Sequence, residues 1–131
     1  MVLVDTSVWI DFFRGTKSPQ ADHLAALFNN EEDVCISGII VTEILQGIRP
    51  DKEYKRVKKL LVELVYLPTL RETYVLAADL FRTAQTKGFT IRKTMDCLIA
   101  ACAIYHKIPF LHKDADFDKL KQCSELLIYP L

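Results

Sequence analysis

Five acidic side chains stand beside apolar segments, although they come from distant parts of the chain: Asp5, Glu43, Asp96, Asp114 and Asp116. An ionised carboxylate is costly to bury unless a partner neutralises it. The immediate sequence neighbours of Asp5, Glu43 and Asp96 include no lysine or arginine. Carboxylates that cluster repel one another, and a hard divalent cation with oxygen ligands is the usual remedy. The pattern therefore predicts a metal site wherever the fold brings these residues together.

Each carboxylate also has a purely structural explanation. Asp5 can cap the helix that follows it, and Asp96 can be a first-turn residue favoured by the helix dipole. Asp114 and Asp116 can cap a short helix near the end of the chain. Glu43 can lie on a solvated helix face. Only the joint arrangement of the five favours a site over these separate roles.

The elements that would position these residues alternate between short apolar runs and longer amphipathic stretches. We predict strands over residues 1–4, 33–37, 65–68, 108–111 and 126–131, and helices over 6–13, 19–30, 39–48, 49–64, 70–88, 94–107 and 114–123. The segment at 94–107 is apolar nearly all round, which indicates a central, buried helix. This order is typical of an α/β protein whose central parallel sheet is covered by helices on both faces. We expect one domain over residues 1–131.

Polar residues at the carboxyl ends of the predicted strands indicate where a site would lie. In such sheets the ligand site is found beyond the carboxyl ends of the strands. Asp5 ends the first strand, Ser37 ends the second, and Asp114 follows the fourth by three residues. Asp96 would open the central helix near the same edge. The sequence therefore predicts that the acidic residues converge there.

The overall composition excludes few classes of function. The 17 basic and 17 acidic side chains balance, so any nucleic-acid binding must come from local patches. The N-terminus lacks the features of a signal peptide, and no apolar run is long enough to cross a membrane, so we expect a cytoplasmic protein. The four cysteines form no Cys-x-x-Cys pair, and each lies among apolar residues, which favours buried thiols over a zinc site.

Four segments in a fixed order carry a resemblance to a known family. They are "VLVDTSVWIDFF", "ISGIIVTEILQGIR", "TMDCLIAACAI" and "PFLHKDADFDKL". Together they resemble the PIN-domain ribonucleases, and among these the VapC-type toxins of toxin–antitoxin pairs. The resemblance implies a PIN-like fold and hydrolysis of RNA phosphodiester bonds with Mg²⁺, for which Mn²⁺ can substitute. It also implies a cognate antitoxin that blocks the site with a basic side chain, and a homodimer.

Carried over position by position, the resemblance implies a catalytic and metal-binding quartet of Asp5, Glu43, Asp96 and Asp114. Asp116 matches an accessory acidic position, and Ser7 matches a small polar position that helps to hold the site. His112 departs from the family pattern, in which threonine or serine is common. Within the quartet we expect Asp5 and Asp96 to be the inner ligands. Glu43 and Asp114 would complete the site directly, through water, or by positioning the nucleophile.

Basic and aromatic residues near these motifs suggest further contacts. Arg92, Lys93 and Lys113 lie close to the acidic residues in sequence and are candidates for binding RNA phosphates. The lysine-rich run at 52–59 is either a second phosphate-binding surface or an ordinary solvated helix face. An aromatic group near the N-terminus, Trp9, Phe12 and Phe13, either packs in the core or forms a groove for a protein partner.

Two functions of other classes stay open at this point. A receiver domain also holds Mg²⁺ with carboxylates on a small α/β fold. It normally has adjacent acidic residues after its first strand, whereas Asp5 is followed by Thr6 and Ser7. The other alternative is an RNA-binding or interaction module on the same fold that does not cleave.

Overall fold

Four parallel strands form the centre of the molecule in the computed structural model, which describes residues 1–131. The strands are β1 (Val2–Val4), β2 (Val34–Ser37), β3 (Val65–Leu67) and β4 (Phe110–Leu111). Their order across the sheet is β3-β2-β1-β4, so β1 and β2 are central. All three strand pairs are parallel, with Leu3 opposite Cys35 on one side and Phe110 on the other. The predicted α/β fold is confirmed.

Seven helices connect and cover these strands. They are α1 (Thr6–Arg14), α2 (Pro19–Asn29), α3 (Gly38–Gln46), α4 (Asp51–Val62), α5 (Arg71–Thr86), α6 (Thr94–His106) and α7 (Ala115–Gln122). They pack in two groups, α1 to α4 and α5 to α7, which agrees with a helical layer on each face of the sheet. None of the helices is both long enough and apolar enough to span a membrane.

The helix ends follow from local sequence. Ser18 caps α2 by accepting a hydrogen bond from the amide of Ala21, and Pro19 occupies the first turn, where its missing N–H costs nothing. Helix α1 ends at Gly15, whose φ of 70° is accessible to glycine with little strain. These signals explain why the predicted helix positions are close to the observed ones.

Helix α6 is the buried centre of its layer, as the sequence predicted. Its residues Cys97, Ala100, Ala101, Cys102 and Ala103 are at most 1% exposed. Their small side chains let neighbouring elements pack closely against the helix backbone. The first turn of this helix carries Asp96, so tight packing of α6 fixes the position of that carboxylate at the sheet edge.

The predicted strand at residues 126–131 was wrong. Only Ile128 pairs with the sheet, through a single parallel bridge to Phe110. Strand β4 offers just two residues as a template, and Pro130 has no N–H to extend the pairing. The chain therefore leaves the sheet after one bridge.

Candidate active site

Asp5 lies at the junction of β1 and α1. Its backbone N–H donates to the carbonyl of Leu111 (2.9 Å), which ties the end of β1 to the end of β4. Its carboxylate caps α1 and accepts hydrogen bonds from the Ser7 amide (3.3 Å) and the Ser7 hydroxyl (2.6 Å). Both bonds go to one oxygen, Oδ2, so the other oxygen of the carboxylate stays available while Asp5 caps the helix. Ser7 holds the Asp5 carboxylate in one orientation.

Glu43 reaches the site from the middle of α3. The hydroxyl of Thr6 donates to Glu43 Oε1 at 2.6 Å, which joins α1 to α3. Glu43 is half-buried and has no basic partner within salt-bridge distance. The sequence interpretation missed this role of Thr6, which it named only as the residue that follows Asp5. The one available signal was its position directly after Asp5, where a hydroxyl would face the same edge.

Asp96 is the most isolated charge in the cluster. It is 7% exposed, and its Oδ2 is buried without any hydrogen-bond partner. Burial, followed by repulsion from Asp5 and Asp114, raises the pKa of Asp96 to about 6, although Lys93 acts in the opposite direction. Burial also raises the pKa of Asp5, with a smaller contribution from Glu43 and against the hydrogen bonds of Ser7. None of Asp5, Glu43 and Asp96 forms a salt bridge, and Lys93 offsets the rise in the pKa of Asp96 only in part.

Asp114 and Asp116 lie beyond β4 and are partnered. Asp114 caps α7 by accepting from the Asp116 amide at 2.9 Å. Arg92 spans both carboxylates, with its Nε 3.2 Å from Asp116 Oδ2 and a terminal nitrogen 3.5 Å from Asp114 Oδ1. Lys119 adds a contact of 3.3 Å to Asp116. Burial alone would raise the pKa of Asp116, but the hydrogen bonds from Arg92 and Lys119 outweigh it and lower that pKa.

The three candidate RNA-binding cations have different surroundings. Arg92 is paired with the acidic cluster, although its side chain is 67% exposed. Lys113 forms an ion pair with Asp11 of α1. Lys93 is exposed and lies just before the first turn of α6. Of the three, Lys93 is the one with no carboxylate within salt-bridge distance, so its ammonium group is free to meet a phosphate.

His112 and Ser37 are inside the protein. His112 is 8% exposed and its ring stacks on Phe110, with centroids 5.6 Å apart. Its Nδ1 accepts from the Asp114 amide (3.1 Å), so Nε2 carries the proton and faces Asp118 at 3.4 Å. His112 therefore shapes the turn that presents Asp114, rather than a substrate-facing surface. Ser37 is fully buried, and its hydroxyl has no partner.

Comparison with known proteins identifies the family of the chain. A family profile described as "PIN domain" matches residues 2–122. The chain belongs to the PIN domain family. It is 35% identical over 131 residues to a VapC ribonuclease of Mycobacterium bovis and to ribonuclease VapC11 of Mycobacterium tuberculosis, with 96% of each chain covered.

Two solved structures share the fold. VapBC2 from Rickettsia felis, bound to a DNA fragment from its promoter, matches with a TM-score of 0.77 at 18% identity, over 98% of both chains. FitAcB from Neisseria gonorrhoeae matches with a TM-score of 0.74 at 21% identity, over 99% of this chain and 97% of the other. The predicted PIN fold and the predicted relationship to VapC proteins are both confirmed.

Within the acidic cluster, Asp5 and Asp96 have the chemistry to bind a hard divalent cation. No group of three or more His, Cys, Asp or Glu side chains is arranged as a ready-made metal site. Mg²⁺, however, binds through only one or two carboxylates and keeps several waters. Asp5 and Asp96 offer such a pair, because both are buried, both have raised pKa values, and Asp96 Oδ2 has no partner. Oxygen-only donors also match the preference of Mg²⁺ and Mn²⁺.

Proposed function

We propose that this PIN domain is a Mg²⁺- or Mn²⁺-dependent endoribonuclease that acts as the toxin of a toxin–antitoxin pair. The observation that carries the proposal is the unpaired Asp96 carboxylate near Asp5, which in turn lies near Glu43, at the carboxyl edge of the sheet. The 35% identity to VapC ribonucleases over 96% of the chain supports the same activity.

The proposed roles follow from how each carboxylate is held. Asp5, fixed by Ser7, and Asp96, fixed by α6, would bind the cation directly. Glu43, fixed by Thr6, would hold the attacking water or one of the cation's waters. When bound, a divalent cation lowers the pKa of a neighbouring water and stabilises the charge that develops on the phosphate.

Asp114 and Asp116 take different parts in this proposal. Asp114 has 28% of its side chain exposed, so it can contribute to the site through water. Asp116 is 2% exposed and holds Arg92. Arg92 in turn would place positive charge beside the scissile phosphate and reduce its repulsion by the acidic pocket. Asp116 is accordingly a positioning residue.

The proposed antitoxin has a groove to occupy beside Glu43. The groove lies between α1 and the α3–α4 segment, has a volume of about 350 Å³, and is lined by Ile10, Phe13, Ile44 and Ile48 together with Arg14 and Arg49. Of the three aromatic residues considered as partner anchors, Trp9 is fully buried in the core and only Phe13 lines this groove. A partner segment seated there would end next to the acidic cluster, where a basic side chain could block it.

The deciding experiment is cleavage of total cellular RNA by the purified chain with Mg²⁺, with Mn²⁺ and with EDTA, beside Asp96→Asn. We expect discrete fragments that require metal and are missing with the variant. A folded wild-type chain that cleaves no RNA with either metal, yet binds it, would favour the non-catalytic RNA-binding alternative. A fully active, folded Asp96→Asn variant would refute the assignment of the site.

The toxin role and the assembly have their own tests. Expression of the wild-type chain should arrest growth, expression of Asp96→Asn should not, and co-expression of the antitoxin should relieve the arrest. Wild-type expression without growth defect would contradict the toxin role while leaving the ribonuclease intact. The homodimer stays a prediction, and a strict monomer by light scattering at high concentration would contradict it. Location in the cytoplasm likewise stays a prediction.

A further inference from the structure

A second groove opens on the other side of Glu43. Its volume is about 420 Å³, and we call it the tyrosine groove, defined by Tyr66, Tyr74, Met95, Thr42, Gln46 and Glu43. Tyr66 belongs to the edge strand β3, Tyr74 to the first turn of α5, and Met95 to the first turn of α6. Glu43 also lines the groove next to α1, so the tyrosine groove is continuous with the proposed active site.

The apolar side chains of this groove are unusually exposed. Tyr66 is 58% exposed, Tyr74 is 55% exposed and Met95 is 49% exposed. Single exposed apolar residues need no explanation, but several that line one concavity next to a site mark a binding surface. Met95 directly precedes Asp96 in α6, so this wall of the groove belongs to the same helical turn as the carboxylate with the unpartnered oxygen.

Close approach of Tyr66 to α3 depends on a glycine. A Cβ added at Gly38 would lie 2.9 Å from the Tyr66 hydroxyl. The absence of a side chain at this position lets the phenol rest over the first turn of α3, at the wall of the groove. The ring is thereby positioned although more than half of its surface is in solvent.

The chemistry of the lining selects for a flat, uncharged group. Glu43, at the end shared with the active site, is the one charged residue among those that line the groove. A phosphate would therefore find no cation there. Aromatic faces stack on nucleobases of any sequence, and hydroxyl and amide groups such as those of Thr42 and Gln46 can bond to base edges. Bases inside a duplex are already stacked and paired, so only an unpaired base can enter.

We propose that the tyrosine groove binds one unpaired nucleobase of the RNA substrate, in contact with the rings of both Tyr66 and Tyr74 and adjacent to the phosphodiester bond at the acidic cluster. This inference rests on the proposed ribonuclease function and deepens it, because it names the residues of this chain that would hold a base beside the reacting phosphate. Tyr66 and Tyr74 would thus act as substrate-positioning residues outside the acidic cluster.

The test measures binding of two RNA probes to a chain that carries Asp96→Asn throughout, so that no probe is cleaved. One probe is a fluorescent uridine oligonucleotide of about 12 nucleotides, and the other has the same backbone with abasic sugars. We expect Tyr66→Ala and Tyr74→Ala each to weaken uridine binding by about fivefold to a hundredfold, the range measured for single base–aromatic stacks. Binding of the abasic probe should be unchanged.

Three further variants make the comparison specific. Tyr66→Phe keeps the ring and should bind like the parent. Tyr105→Ala removes an exposed tyrosine that does not line the groove, and should also bind like the parent. Gly38→Ala keeps the tyrosine but pushes its hydroxyl aside, so it should weaken uridine binding while the thermal stability is kept.

Several outcomes would overturn the inference, and they are separable from failure of the proposed function. If the wild-type chain cleaves RNA but both alanine variants bind uridine RNA normally, the groove is not a base site and the ribonuclease stands. If the variants weaken self-association in light scattering and leave RNA binding intact, the groove receives a second copy of this chain. If the wild-type chain neither cleaves nor binds RNA, the proposed function fails and the inference fails with it.

Discussion

The acidic cluster has two halves that differ in their partners: Asp116 and Asp114 are paired with basic side chains, whereas Asp96, Asp5 and Glu43 are not. Asp116 is 2% exposed and receives contacts from Arg92 and Lys119, which lower its pKa. Asp96 is 7% exposed, has an oxygen without a partner, and has a pKa raised to about 6. Both are buried aspartates in the first turn of a helix at the same sheet edge. The difference shows that burial alone does not distinguish the two carboxylates, whereas the presence or absence of a basic partner does.

The largest expected effect separates the two halves by cation binding. Asp96→Asn should weaken Mn²⁺ binding by at least about a hundredfold, since it removes one of the two buried carboxylates that we propose as ligands. Asp116→Asn should change Mn²⁺ affinity by less than about threefold, because Arg92 and Lys119 already satisfy that carboxylate. Titration calorimetry with Mn²⁺ measures both. Equal losses in the two variants would mean that Asp116 is itself a ligand and that the comparison is wrong.

The same variant should have the reverse effect on folding when metal is removed. In EDTA at neutral pH, Asp96→Asn should raise the free energy of unfolding by up to about 3 kcal/mol, because it removes a charge whose pKa lies about two units above its usual value. Urea unfolding measures the change. If Asp96→Asn instead lowers the free energy of unfolding of the metal-free chain, then the native contacts of the Asp96 carboxylate stabilise the fold more than its charge destabilises it.

The pH dependence of the stability difference between Asp96→Asn and the wild-type chain shows whether the charge on Asp96 causes it. Between about pH 4 and about pH 6 the folded chain keeps a proton on Asp96 that the unfolded chain has lost, so wild-type stability from this group falls as pH rises. The advantage of Asp96→Asn should therefore grow across this window and level off above it. Asp116 has a lowered pKa, so its contribution has the opposite sign and is lost as pH falls.

Removal of the Asp116 charge should lower the stability of the fold even when no metal is bound. Asp116→Asn removes charge-assisted hydrogen bonds to Arg92 and Lys119, which together should lower the free energy of unfolding by about 1.5–3 kcal/mol. Thermal unfolding in EDTA gives the value, and Asp79→Asn, at an exposed carboxylate of α5 that forms no salt bridge, is the control. A neutral result for Asp116→Asn would mean that Arg92 is held mainly by Asp114.

The sequence predicted where the carboxylates would lie, but not how each is partnered. Strand ends and helix starts are local signals, so Asp5, Asp96 and Asp114 were placed at one edge from hydrophobic runs and caps alone. The contact between Arg92 and Asp116 joins residues 24 apart, and the bond between Thr6 and Glu43 joins residues 37 apart. Such pairs depend on how helices pack. The sequence interpretation therefore treated Arg92 as a free cation and overlooked Thr6.

Thr6 gives the smallest effect and the finest test of the unpaired half. Its hydroxyl is the only side-chain donor seen to contact Glu43, at 2.6 Å. Thr6→Val keeps the shape of the side chain and removes this bond, so RNA cleavage should slow by about threefold to tenfold, corresponding to about 0.5–1.5 kcal/mol. Thr86→Val is the matched control, since the Thr86 hydroxyl bonds only to the Arg82 carbonyl on an exposed helix face. If Glu43 acts on the attacking water, the loss should appear in kcat with KM unchanged. A loss confined to KM would instead indicate that Glu43 acts in substrate binding. Asp96 and Glu43 would then have different roles, although neither has a basic partner.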